Sequence, residues 1–207
     1  MKTLHKQDQW LIKRWAKACQ LEESMNSARQ RYAALFTEAH KHVKKSHPAL
    51  DSLNLHLEPR NVQGSGGQVA FSKTTWPTPW PTWPTGIYIW GITLDELTAE
   101  SLPVPQACIW LASAKKADKR IDVLRRRLAA KAPHIFKSRR IQWNQEDEDD
   151  NRICLWYALP EGRDGLLQML SNNEQSFVNC IAKHVGLLAA FMPVMDGVLL
   201  KRKPSRP

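Results

Sequence analysis

Ala107-Cys108-Ile109-Trp110-Leu111-Ala112 heads a longer stretch, Gln106 to Asn144, whose reading decides the fold. The run is apolar at every position, short, and carries Ile109 and Trp110, which predicts a strand buried on both faces. The segment after it, Lys115 to Lys131, has the period of a helix. Ala117, Ile121, Leu124 and Leu128 fall at i, i+4, i+7 and i+11 and form one apolar stripe. At about 100° per residue, Lys115, Lys119 and Arg126 point away from that stripe with Asp122 beside them. Lys116, Arg120, Arg127 and Lys131 run along one flank. Pro133 is expected to end the helix, because it has no N–H to donate and disfavours helical geometry before it. Ile135-Phe136, Lys137, Arg139-Arg140 and a strand at Ile141-Gln142-Trp143 then close a strand–basic helix–strand unit.

Further strands are predicted on either side. Gln68 to Thr75 alternates through Val69 and Phe71, and Ile87-Tyr88-Ile89-Trp90-Gly91-Ile92 and Ile153 to Leu159 are apolar runs. Asp95-Glu96-Leu97 and the prolines at 103 and 105 form a connector with room for one helical turn. Gln9 to Lys45 reads as one long helix with at most one break, weakest at Ser24, Asn26 and Ser27. Trp15, Ala18, Met25, Ala28, Tyr32, Leu35 and Ala39 trace its stripe at near-heptad spacing. Gly162 to Phe191 is helical, split at Ser171-Asn172-Asn173, interrupted by Pro193 and followed by a basic tail. The expected fold is α+β: a mixed sheet of about four to six strands with a long N-terminal helix and a long C-terminal helical segment. The expected division is residues 1–47, an N-terminal helix, and 48–207, an α+β domain with a Trp/Pro-rich loop at 76–85.

At 207 residues, 43% of them hydrophobic, the chain is long enough for a sizeable core and is not disordered as a whole. The formal net charge is +10 and the pI about 9.6, a bias that points to an anionic partner. Cys19, Cys108, Cys154 and Cys180 lack a C-x-x-C pair or other ligand spacing and read as small apolar residues in a reducing compartment. No apolar leader follows Met1, and Gly186 to Leu200 is too short and interrupted for a spanning helix. A cytoplasmic chain without membrane contact is expected.

Several motifs carry competing readings. Trp76, Trp80 and Trp83, interleaved with prolines, form an extended polyproline-like run: either a loop lying over the core or an exposed aromatic platform for a partner groove or unstacked bases. Glu146 to Asp150 reads as a solvated hairpin tip in preference to a divalent-ion site. His40 and His47 share a helix face but stand about 10 Å apart, too far to share one ion. Gly64-Ser65-Gly66-Gly67 lacks the Lys-Ser/Thr of a phosphate-binding loop, and no nucleophile elbow, Rossmann glycines or His-Glu-x-x-His is present. A metal-dependent nuclease needs a carboxylate two residues before Lys115, where Ser113 stands; Asp95, Glu96 and Lys115 are the remaining candidates for an enzyme. No cofactor and no metal site is expected.

From about Ile87 onward, the order strand, strand, basic helix, strand, strand, long helix resembles an uncharacterised bacterial domain family found attached to or near restriction-endonuclease-like proteins. The resemblance rests on core-pattern residues: Ile87 to Trp90, Ile109-Trp110-Leu111, Ile121-Asp122 with Leu124, Trp143, Ile153 to Trp156, and Phe191 with Pro193. It implies a place in bacterial DNA-related or defence systems and carries over no functional residue. Together these features lead us to expect a non-catalytic accessory protein that binds DNA or RNA through the basic helix and the adjacent strand. Lys115, Lys116, Lys119, Arg126, Arg127, Lys137, Arg139 and Arg140 would neutralise phosphates, and Trp80 and Trp83 would stack. The rival is a protein–protein adaptor or assembly subunit, engaging a partner or a second copy through the N-terminal helix and the Trp/Pro strip.

Overall fold

Six strands pair into one sheet in the order β1-β2-β3-β4-β6-β5 in a computed structural model that describes residues 5–46, 52–57, 68–76, 84–98, 104–112, 119–137, 141–149 and 152–200. The strands are β1 (Asn54–Leu57), β2 (Gln68–Ser72), β3 (Gly86–Trp90), β4 (Gln106–Ala112), β5 (Asn144–Asp149) and β6 (Arg152–Ala158). The helices are α1 (Lys6–Lys13), α2 (Trp15–Ser46), α3 (Leu94–Thr98), α4 (Lys119–Phe136), α5 (Gly162–Asn172), α6 (Glu174–Ala189) and α7 (Met192–Leu199). The fold is α+β.

β4 sits inside the sheet, and Ala107, Cys108, Ile109, Trp110 and Leu111 are all buried, as an uninterrupted apolar strand requires. Ile109 and Leu111 face the helices and join the main core. Cys108 and Trp110 face the other way, into a second cluster with Ala70, Tyr88 and Cys154 that half-buried Trp90 and Trp156 border. Every paired strand is antiparallel, which corrects the expected mixed sheet. The strand–helix–strand unit β4-α4-β5 does leave β4 and β5 running the same way. β6, returning from β5, inserts between them and turns each neighbouring pair antiparallel.

Two local readings also need correcting. Pro133 lies inside α4 and does not end it. The last turn is held by tertiary packing: Ala132 and Phe136 are buried, and the Phe136 ring meets Tyr157 at 5.3 Å and Phe191 at 5.8 Å. That packing offsets a proline cost of about 3 kcal/mol. The closing strand begins at Asn144, not Ile141, and takes in acids expected to form a hairpin tip. A strand at the sheet edge is held by main-chain pairing to its one neighbour, β6. The N-terminal helix breaks at Arg14 and continues through its polar middle, where the Ser24 hydroxyl donates to the Gln20 carbonyl at 2.9 Å.

The C-terminal division falls where the Ser171-Asn172-Asn173 cluster places it. Asn173 is extended and its side chain accepts from the Ser176 N–H, capping α6. The connector after β3 holds the short α3, closed by a capping box: Thr93 N–H and Oγ1 bind Glu96 Oε2, and Glu96 N–H binds Thr93 Oγ1, each at 3.0 Å.

Candidate nucleic-acid interface

α4 turns Ile121, Leu124, Leu128, Ala132 and Phe136 into the core, so the periodicity that buries them exposes the opposite side. Lys119, Arg126, Arg127 and Lys137 are exposed. Lys119 and Arg126 stand about 10 Å apart along the axis and Lys137 about 16 Å further on, a cationic row along the helix. Asp122 is the acid beside it and is bound to Arg125 at 3.1 Å. Lys131 is drawn off the flank: its Nζ donates to the Ala190 carbonyl at 2.8 Å, placing a cation at the end of α6. Lys115, Lys116, Arg139, Arg140, Trp80 and Trp83 lie outside the described residues.

Trp76, the first tryptophan of the Pro-rich run, is buried in the main core. Its indole N–H donates to Asp196 Oδ1 at 2.9 Å, while Lys73 binds Oδ2 at 2.6 Å and lies over the ring. At this position the loop reading holds over an aromatic platform. Of the enzyme candidates, Glu96 is engaged in the capping box, while Lys115 and the side chain of Asp95 lie outside the described residues. His40 serves the fold, with its Nε2 2.7 Å from the Leu53 carbonyl.

The stripe on α2 is treated differently at its two ends. Tyr32, Leu35, Phe36, Ala39 and Val43 are buried, whereas Trp15 (60% exposed), Leu21 (62%) and Met25 (45%) face solvent. Cover stops where α6 begins, at the Arg31–Glu174 ion pair. N-terminal to that point, Arg14, Lys17, Glu22 and Arg29 flank an apolar strip of Ala18, Leu21 and Met25.

One polar cluster went unread in the sequence. The Tyr157 hydroxyl lies 2.8 Å from His184 Nδ1, and His184 Nε2 lies 2.9 Å from Glu161 Oε2. Lys183 donates to Glu161 Oε1 at 3.3 Å, and Cys180 packs against the same carboxylate. Burial pushes the His184 imidazole below its ordinary value, against the pull of the Glu161 charge. Burial alone would raise the Glu161 carboxyl, but His184 and Lys183 hold it below the usual range. The Cys180 thiol is pushed up to about 12 by burial, with Glu161 adding to it. The only local sequence signal was the i, i+4 spacing of Cys180 and His184, which puts both on one helix face.

Set against known proteins, the chain matches no family model, no curated protein and no solved structure. Among the described residues, no single helix is long and apolar enough to cross a membrane.

Proposed function

We propose that the chain binds nucleic acid without catalysing a reaction on it, through phosphate contacts from α4 and the neighbouring strand. The observation that carries this reading is the exposed row Lys119, Arg126, Arg127 and Lys137 on a helix whose other face is locked into the core. A rigid row of cations suits backbone binding, in which each neutralised phosphate releases counterions and base identity is not read. Lys115, Lys116, Arg139 and Arg140, which flank α4 in the sequence, would add phosphate contacts. The net charge of +10 supports the same partner. The family resemblance adds the context of a bacterial DNA-related or defence system, and a cytoplasmic location belongs to the same proposal.

Fluorescence anisotropy with labelled duplex and single-stranded oligonucleotides tests the reading. Binding should weaken with salt along a log–log slope of several units, about 0.9 per phosphate contacted. Absence of binding at low salt would remove nucleic acid as the partner. A preference for single strands would bring Trp80 and Trp83 into the interface.

The exposed end of the α2 stripe favours a second reading, an adaptor that engages a partner helix or a second copy. Self-association through it predicts a concentration-dependent rise in mass by sedimentation equilibrium, abolished by Leu21→Glu with Met25→Glu. A monomer at all concentrations would leave only a foreign helix as occupant.

A further inference from the structure

Glu161, Cys180 and His184 bring a carboxylate oxygen, a thiol sulfur and an imidazole nitrogen within 4.8 Å of one another. Three features of the chain converge on that point. Cys180 and His184 lie one turn apart on α6 and present both side chains to the same side. Gly162, with φ of 62°, makes the left-handed turn from β6 into α5 next to Glu161. Tyr157, from β6, meets His184 from behind at Nδ1 and so aims Nε2 at the Glu161 carboxylate.

We propose that Glu161, Cys180 and His184 bind a single zinc ion, with Tyr157 as the positioning residue for the imidazole. Sulfur, nitrogen and oxygen donors in one set match zinc; calcium and magnesium take all-oxygen shells. Zinc bonds of about 2.3 Å to sulfur and 2.0–2.2 Å to nitrogen and oxygen place tetrahedral ligands roughly 3.2–3.6 Å apart, so closure needs side-chain shifts of about an ångström. The charge also balances: a divalent cation, a thiolate and a carboxylate sum to zero, which suits a site this buried.

On binding, the Cys180 thiol proton leaves to solvent as the sulfur–zinc bond forms. The single imidazole proton resides on Nδ1 and is donated to the Tyr157 oxygen, as the outer nitrogen of a metal-bound histidine commonly does. Lys183, whose side chain is 68% exposed, releases Glu161 toward water. A three-residue set leaves the fourth position to water or an added ligand. The inference is independent of nucleic-acid binding.

The test uses the full-length chain, stripped with chelator and titrated with cobalt(II) at about pH 7.5, where thiolate ligation can compete with the proton. One ion per chain should bind, with a sulfur-to-cobalt charge-transfer band in the near ultraviolet that zinc abolishes. Cys180→Ser should remove the band and Cys19→Ser should leave it. Tyr157→Phe should keep the band but weaken zinc on the order of ten-fold. Should Cys180→Ser fail to fold by circular dichroism, Glu161→Gln serves in its place, with affinity falling at least about ten-fold and the band retained. No saturable band with the wild-type chain, or a band that survives loss of Cys180, would overturn the proposal.

Discussion

Replacing Lys119, Arg126 and Arg127 together by alanine is expected to weaken nucleic-acid binding on the order of a hundred-fold at about 0.1 M salt. Each side chain is exposed, so the substitutions remove charge without opening the core, and stability should move by less than about 0.5 kcal/mol apiece. Loss of three phosphate contacts lowers the salt slope by roughly 2.7, and the gap from wild type should widen as salt is lowered. Net charge alone would also weaken binding, so a second triple variant separates the two causes. Lys13, Lys17 and Lys41 are likewise exposed and lie away from α4, on α1 and α2. Their replacement by alanine changes the charge equally and should leave the slope nearly unchanged. Equal losses in the two variants would mean a diffuse cationic surface with no site on α4.

The parts of the fold legible in the sequence are those governed by neighbours along the chain. Apolar continuity from Ala107 to Leu111 announced a strand covered on both faces, and Ile121, Leu124 and Leu128 announced which side of α4 is buried. The polar Ser171-Asn172-Asn173 cluster marked the split between α5 and α6, where Asn173 caps the second helix. What stayed hidden depends on distant partners. β1 has four residues, too few for alternation to distinguish from loop, and it exists through its ladder with β2. The insertion of β6 between β4 and β5 is a choice of pairing that no local period records. Phe136 rescues a helical turn after Pro133 only because Tyr157 and Phe191 arrive beside it. The cationic row on α4 could be read from spacing, since one helix carries it. The cluster of Tyr157, Glu161, Cys180 and His184 is assembled from β6, the turn after it and α6, so no single segment displays it.

Phe177→Ala should be among the costliest single substitutions in the chain, lowering the free energy of unfolding by about 3–5 kcal/mol. Phe177 is fully buried on α6, with its ring 5.7 Å from both Tyr32 and Phe36 of α2. Those two rings meet each other edge-on at 5.2 Å, so three aromatic side chains form the joint between the long helix and the C-terminal helices. The Tyr32 hydroxyl donates to the Ile92 carbonyl beyond β3, tying the same joint to the sheet. Alanine at 177 removes the ring common to both inter-helix contacts and leaves a cavity that the flanking helices cannot fully close. Against a total stability of about 5–15 kcal/mol typical of a domain, that loss is a large fraction. Urea denaturation should show a lower midpoint with a similar slope if α2 stays docked. A changed slope would mean that α2 has come away in the native state. Leu21→Ala and Met25→Ala, on the same stripe but beyond the reach of α6, should each cost less than about 0.5 kcal/mol. A cost at Leu21 comparable to that at Phe177 would mean that the exposed half of α2 is covered in solution, and the oligomeric state would then identify the cover.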